Sequence, residues 1–228
     1  MRREYSLIIA AMEVEFDALK NQLNEYREIK FDNDNLIEFE FNNEMYLLGL
    51  GKIGKVSTAF FMGRLFSTFK IKRVFNIGTS GAVDNRLNIS DVIIADRVGY
   101  YDVDVTIFNY KEGQVPGMPE YYIPDLEYIN SKKIDPKYHV VKGLILSGDS
   151  FVTRYFYNRS NLKNREGVVA CEMESGAVAQ CCHIAKIPFV IVRSISDIVT
   201  KEDNHIAIDE NAELSSTNSA LVLLELLK

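Results

Sequence analysis

The chain has 228 residues, enough for one α/β domain with a large core and too few for two comfortable ones, so residues 1–228 are expected to form a single domain. Apolar residues make up 47% and charged residues 25%, near the globular average, which argues against a disordered or fibrous chain. A formal net charge of −6 with no long Lys/Arg run argues against a nucleic-acid backbone or an anionic membrane as the main partner and leaves a small molecule.

Residues 5–11 form a largely apolar run, the pattern of a strand buried on both faces of a mainly parallel sheet. Continued to Met12, the run is too short for a secretory signal and is closed by Glu13 and Glu15, and no stretch approaches the ~20 apolar residues of a spanning helix; a cytoplasmic protein is expected. Phe16, Leu19 and Leu23 recur at helical spacing after a turn at residues 12–15. Ile37, Phe39 and Phe41 alternate with Glu38, Glu40 and Asn42, a half-exposed strand that Asn42 and Asn43 fold back onto residues 45–50.

Gly51-Lys52-Ile53-Gly54 leads into a helix over 56–69, and a buried strand over 73–77 ends in Gly78-Thr79-Ser80-Gly81. Further apolar runs lie at 92–95, 140–146, 168–170 and 189–192, with helical patterns at 174–185 and 212–227. Strands and helices alternate without repeat, low-complexity tract or linker. That order predicts a three-layer α/β/α fold around a mixed, largely parallel twisted sheet.

Residues 100–122 break the pattern, with five tyrosines, Phe108, Pro116, Pro119, Gly113 and Gly117 in no clear period. A long ordered loop with a functional or interfacial role is expected, because a mobile surface insertion would leave many aromatics in water. Cys171, Cys181 and Cys182 cannot all pair, and adjacent cysteines rarely bridge each other, so no disulfide framework is expected. With no CxxC pattern and only His139, His183 and His205 in the chain, neither a metal nor a cofactor is expected. Cys181 and Cys182 read as core or near-core thiols, and His205 as a solvated loop residue or part of a lid.

Ligands of open α/β sheets bind beyond the carboxyl ends of the strands. Four such ends carry polar groups: residues 11–15, Gly78-Thr79-Ser80-Gly81, residues 147–152 and Ser194-Ile195-Ser196-Asp197; Cys171-Glu172-Met173-Glu174 opens a helix. Taken singly, a carboxylate at a helix start is a capping residue and GxxG is a tight turn. Their joint order carries more. Ala11-Met12-Glu13-Val14-Glu15, the segment 51–56, Asn76-x-Gly78-Thr79-Ser80-Gly81, residues 101–106, residues 113–116, residues 147–151, Glu172-Met173-Glu174 and residues 192–197 together resemble the 5′-methylthioadenosine/S-adenosylhomocysteine nucleosidases of the nucleoside phosphorylase superfamily. The resemblance runs from Ser6 to the final helix.

The resemblance implies a nucleoside phosphorylase-like fold, a nucleoside substrate and roles for individual residues. Glu15 would activate the attacking water, Glu174 would bind the ribose hydroxyls with Met173 against the sugar and Glu172 beside it, and Asp197 would work at adenine N7 with Ser196 as its neighbour. Phe151 would stack on the base and Val152 offer backbone groups to its polar edge. Ala11, Met12, Ile53, Thr79, Ser80, Gly81 and Ile208 complete the implied binding set, and in a homodimer Phe108 and Pro116 would close the neighbour's 5′ pocket. Arg193 admits two readings, a contact to the ribose edge or an ion-pair partner of the carboxylates. Val14 replaces a carboxylate that relatives often carry, on a side chain expected to face away from substrate. Ile208 stands where relatives often carry an aromatic, and Asn204-His205-Ile206 falls in a loop of altered length.

These residue types suit the reaction. An N-glycosidic bond breaks with positive charge developing on the sugar and negative charge on the base, so carboxylates belong near the first and a proton donor at the second. Asp197 donates only if its pKa is raised, which burial against Phe151 and neighbouring carboxylates is expected to provide. The alternative within the class is a purine nucleoside phosphorylase. Phosphate needs strong cationic partners, usually arginine, yet Asn76 occupies the strand-end position where related phosphorylases hold one, and Glu13 and Glu15 would repel the dianion. A non-catalytic nucleoside-binding protein is the alternative outside it, disfavoured because all three carboxylate positions are intact.

Overall fold

The apolar run that opens the chain becomes β1 (Glu4–Ala10), whose side chains alternate between two cores. The computed structural model describes residues 3–228. Leu7 and Ile9 pack with Phe61, Met62 and Leu65 of α2 (Lys55–Thr68) and with Val178, Ala179 and Cys182 of α5 (Ser175–Ala185). Ile8 and Ala10 face the other way, toward Ala18 and Leu19 of α1 (Glu13–Lys20) and Ala220, Val222, Leu223 and Leu226 of α6 (Asn204–Leu226). A sheet with a helical layer on each face follows, each fully buried aliphatic side chain contributing about 1.5–3 kcal/mol.

The remaining strands are β2 (Arg27–Phe31), β3 (Asp34–Phe41), β4 (Glu44–Leu50), β5 (Lys70–Ala82), β6 (Val92–Tyr100), β7 (Val140–Ser147), β8 (Val168–Glu172) and β9 (Phe189–Ile198); short helices α3 (Leu126–Ser131) and α4 (Arg154–Arg159) lie between them. The nine strands run in the order β2-β3-β4-β1-β5-β8-β7-β6-β9. β1 is parallel to β4 and β5, while β2, β3 and β4 form an antiparallel meander. β9 pairs with β5 in parallel and with β6 antiparallel, so β5, β8, β7, β6 and β9 close on themselves. β5 and β8 run in opposite senses and meet only at Gly81 with Cys171 and Ala82 with Ala170, which brings their carboxyl ends together.

The mixed three-layer arrangement agrees with the expectation, and five local features differ. β5 continues through the Gly78–Gly81 segment that read as a turn, because Ile77 to Ala82 keep pairing with β9. β2 has no apolar signal, being an edge strand with mostly exposed residues. α1 begins at Glu13, so Glu15 sits inside its first turn. α6 begins at Asn204, eight residues ahead of the apolar pattern at 212 (212 − 204), which converts the expected His205 loop into helix.

The fifth difference lies in residues 100–122. Tyr100 and Tyr122 are buried and stack edge to face, the Tyr101 hydroxyl donates to the carbonyls of Gly148 and Ser150, and the Tyr121 hydroxyl accepts from Arg165. Most of the aromatic load is therefore absorbed within the chain. Ile107 and Phe108 remain in solvent on a single 3-10 turn. Cys171 and Cys182 are buried and Cys181 half-buried, all as free thiols. No helix among the described residues is long and apolar enough to cross a membrane.

Candidate active site

Carboxyl ends of β1, β5, β7, β8 and β9 surround one cavity. Its walls include Ala11, Met12, Glu15, Ile53, Thr79, Ser80, Gly81, Phe151, Val152, Glu172, Met173, Glu174, Ser196, Asp197 and Ile208, all expected from the sequence. Ser150, Cys171 and Val199 also line it and were missed, although each is a near neighbour of an expected residue. Val14 is not in the lining.

Glu15 takes both of its sequence readings at once. One carboxylate oxygen caps α1, accepting from the backbone N–H groups of Ala11 (3.0 Å) and Met12 (3.1 Å). The other accepts from the Thr79 N–H at 2.8 Å on β5. The buried carboxylate is thus clamped between two strand ends and still borders the cavity. Gly78 permits this: a Cβ there would lie 2.2 Å from Arg193 Nη1 and 2.6 Å from Glu15 Oε1.

Arg193 corrects an expectation. It is 1% exposed and absent from the cavity wall, so the substrate-contact reading gives way to the ion-pair reading. Its Nη2 lies 2.5 Å from Glu172 Oε2 and 3.5 Å from Glu174 Oε2, and it donates to Asn76 Oδ1 at 2.7 Å. Asn76 therefore orients the guanidinium while its own amide donates to the Ile9 carbonyl. Glu172 Oε2 also caps the start of α5 through the N–H groups of Glu174 (2.9 Å) and Ser175 (2.8 Å), and its Oε1 accepts from the Ser147 hydroxyl. Phe108 and Pro116, expected at a neighbouring chain's pocket, do not line this chain's own cavity, and Phe108 is 71% exposed.

One guanidinium faces three buried carboxylates, and Glu172 takes its closest contact. Glu174, which accepts the Gly54 N–H at 2.9 Å, is left with a raised pKa, through burial first and the Glu172 charge second, with Arg193 opposing. Asp197 is also raised, and burial is the cause; Asn204 and Ser196 oppose it by donating hydrogen bonds to the carboxylate. The expected help from Phe151 and nearby carboxylates is not needed, and Phe151 stands at the mouth, 38% exposed.

These shifts have a consequence for stability. A carboxyl whose pKa rises on folding keeps a proton that the unfolded chain has released, so its stabilisation is complete below the ordinary carboxylate range and is lost as pH rises toward the raised value. Glu174→Gln removes one such group. Melting of the unliganded chain is expected to fall from pH 5 to pH 8 less steeply in this variant than in the parent; parallel curves would count against the raised Glu174.

Asn204 is the polar residue that the sequence reading placed elsewhere. Its side-chain amide donates to Asp197 Oδ2 at 2.7 Å and to the Val152 carbonyl at 3.0 Å. No periodic signal marks it, because the apolar pattern of α6 starts later. The finished cavity joins Glu15 in the first turn of α1, Glu172 and Glu174 at the start of α5 and Asp197 near the end of β9, the pKa values of Glu174 and Asp197 being raised, and among the described residues no Lys or Arg side chain lines it. That arrangement suits water activation at one end and proton donation at the other, across a group that gains positive charge.

The model of the phosphorylase superfamily matches residues 6–228. A 5′-methylthioadenosine/S-adenosylhomocysteine nucleosidase of Bacillus cereus strain B4264 is 38% identical, over 97% of this chain and 98% of its own length. One from an Exiguobacterium species is 37% identical over 97% and 96%. Among solved structures, the Streptococcus pneumoniae nucleosidase with the transition-state inhibitor MT-ImmA aligns with a TM-score of 0.90 at 30% identity, covering 99% of this chain and 98% of that one. The Colwellia psychrerythraea nucleosidase in complex with adenine aligns at 0.89 and 30%, covering 100% and 95%. Within the superfamily, the chain belongs to the 5′-methylthioadenosine/S-adenosylhomocysteine nucleosidase family.

Proposed function

We propose that this chain hydrolyses the N-glycosidic bond of 5′-methylthioadenosine and/or S-adenosylhomocysteine, releasing adenine and the 5-thioribose product. The observation that carries the reading is a cavity walled by Glu15, Glu172, Glu174 and Asp197 with no cationic side chain, among the described residues, to hold phosphate. Water attacks C1′ and gives its proton to Glu15, while the electrons of the C1′–N9 bond pass to the base. Asp197 delivers a proton to N7 of the departing adenine, with Ser196 beside it. Glu174 accepts from the ribose hydroxyls, Met173 covers the sugar, Phe151 stacks on the base and Val152 meets its polar edge.

The decisive assay is adenine release from methylthioadenosine, adenosylhomocysteine, adenosine and inosine, with and without phosphate. Phosphate-independent release from the two thio substrates is expected. Absolute dependence on phosphate would assign the chain to the phosphorylases, and no release from any would make it a binding protein.

The same reading extends to the single-domain organisation over residues 1–228, to a cytoplasmic setting, which the three free thiols suit, and to a homodimer. Val56 and Phe60 of α2, Ile184 of α5, and Ile107 and Phe108 are large apolar side chains left in solvent. In a dimer through this surface, Phe108 and Pro116 close the neighbour's 5′ pocket. Light scattering at micromolar concentration is expected to give twice the chain mass; a fully active monomer would refute it.

A further inference from the structure

We propose that Asn204 is a positioning residue that fixes which oxygen of Asp197 carries the transferable proton and ties that acid to the backbone segment after β7 that meets the base. The proposal rests on the nucleosidase reading above. Asn204 opens α6, is 2% exposed, and follows Asp203, whose left-handed backbone (φ 56°) turns the first residue of the helix inward. Its amide orientation is set by its neighbours: the Val152 carbonyl can only accept, so Nδ2 must face it, and the second N–H of the same group points to Asp197 Oδ2. Both donors are then used.

Asp197 is left with two unlike oxygens. Oδ2 is held by Asn204 at 2.7 Å, and Oδ1 by the Ser196 hydroxyl at 3.0 Å, which has an alternative acceptor in the Ser80 carbonyl at 3.4 Å. A carboxamide N–H has no acceptor role, so Oδ2 stays an acceptor. When Ser196 turns to Ser80, Oδ1 is free to hold a proton. In the reaction Oδ1 gives that proton to the ring nitrogen as the C1′–N9 bond breaks, Asp197 becomes a carboxylate, and both Asn204 and Ser196 then donate to it. The remaining neighbours do not change this: the Cys171 thiol is pushed well above its ordinary value by burial, Glu172 is engaged by Arg193, and the His205 side chain is exposed.

Through the Val152 carbonyl the same amide ties the acid to a second backbone segment of the cavity wall. Val152 lines the cavity and lies 52 residues from Asn204 in the chain. Loss of Asn204 therefore releases the acid and the base-reading backbone together, which a residue that merely stabilised α6 would not do.

The test is Asn204→Leu, which keeps the shape without the donors, alongside Asn204→Asp, which is isosteric and sets a second carboxyl against Asp197. Folding is checked by thermal unfolding. For Asn204→Leu, kcat for methylthioadenosine is expected to fall about 10-fold, and its alkaline limb, where the acid loses its proton, to move up by about one pH unit, because a donor to the ionised form is gone. On a nitrophenyl riboside, whose leaving group needs no proton, the variant should match the parent. Asn204→Asp should move the alkaline limb up further than Asn204→Leu does, because a second carboxylate beside Asp197 opposes its ionisation. An unmoved alkaline limb with equal losses on both substrates, in a parent that does release adenine, overturns this role alone. A parent that releases no adenine overturns the nucleosidase reading and this role with it.

Discussion

Asp197→Asn and Glu15→Gln are each expected to lower kcat by about 10²-fold or more, the usual scale for losing a positioned acid or base, with substrate binding retained. The structure gives each a distinct place. Glu15 is clamped by three backbone N–H groups between β1 and β5, and Asp197 is held by Ser196 and Asn204 at the end of β9. Because both serve one transition state, the double variant should lose far less than the product of the single losses. A nitrophenyl riboside should partly rescue Asp197→Asn, whose proton it does not require, and leave Glu15→Gln impaired, since water must still be activated. Equal rescue of both would show that the two roles are wrongly divided.

Arg193→Met is expected to cost about 3–5 kcal/mol of folding stability, the range for removing one partner of a buried ion pair. At this chain length that corresponds to a fall in Tm on the order of 10 °C. The guanidinium is the cation facing Glu172 and Glu174, and its loss leaves buried negative charge with hydrogen bonds but no counter-ion. Adding Glu172→Gln should recover part of the loss, because the pair is non-additive. Urea midpoints of the parent and both variants decide it: a loss under about 1 kcal/mol in Arg193→Met would mean that the site tolerates its carboxylates unpaired.

Much of this site is legible before any fold is known. The run at residues 5–11, the glycine-bounded segments and the carboxylates at strand ends are local patterns that singly read as strands, turns and caps; Glu15, Glu174 and Asp197 stand out through the resemblance that their joint order carries. The order of elements follows in the same way, since a strand buried on both faces must be apolar at every position. What the pattern leaves open is which distant groups meet. Arg193 reads equally well as a substrate contact or a counter-ion until β9 is seen to carry it beneath the cavity, against Asn76 and Glu172.

Closure of the sheet is likewise a tertiary result: β9 pairs with both β5 and β6, and nothing in its apolar run distinguishes one partner from two. The tyrosines of residues 100–122 advertise an interface by composition, yet burial of Tyr100 and Tyr122 spends most of that signal inside the chain. Asn204 lies ahead of the periodic stretch of α6 and has only polar partners, so hydrophobic periodicity is silent about it. Sequence alone therefore determined the main buried strands and helices and their order, but not the edge strand β2, the short helices α3 and α4 or where α6 begins. The tertiary structure decided the pairing of charges and the aim of hydrogen-bond donors, because those depend on distances between residues far apart in the chain, which no local period encodes.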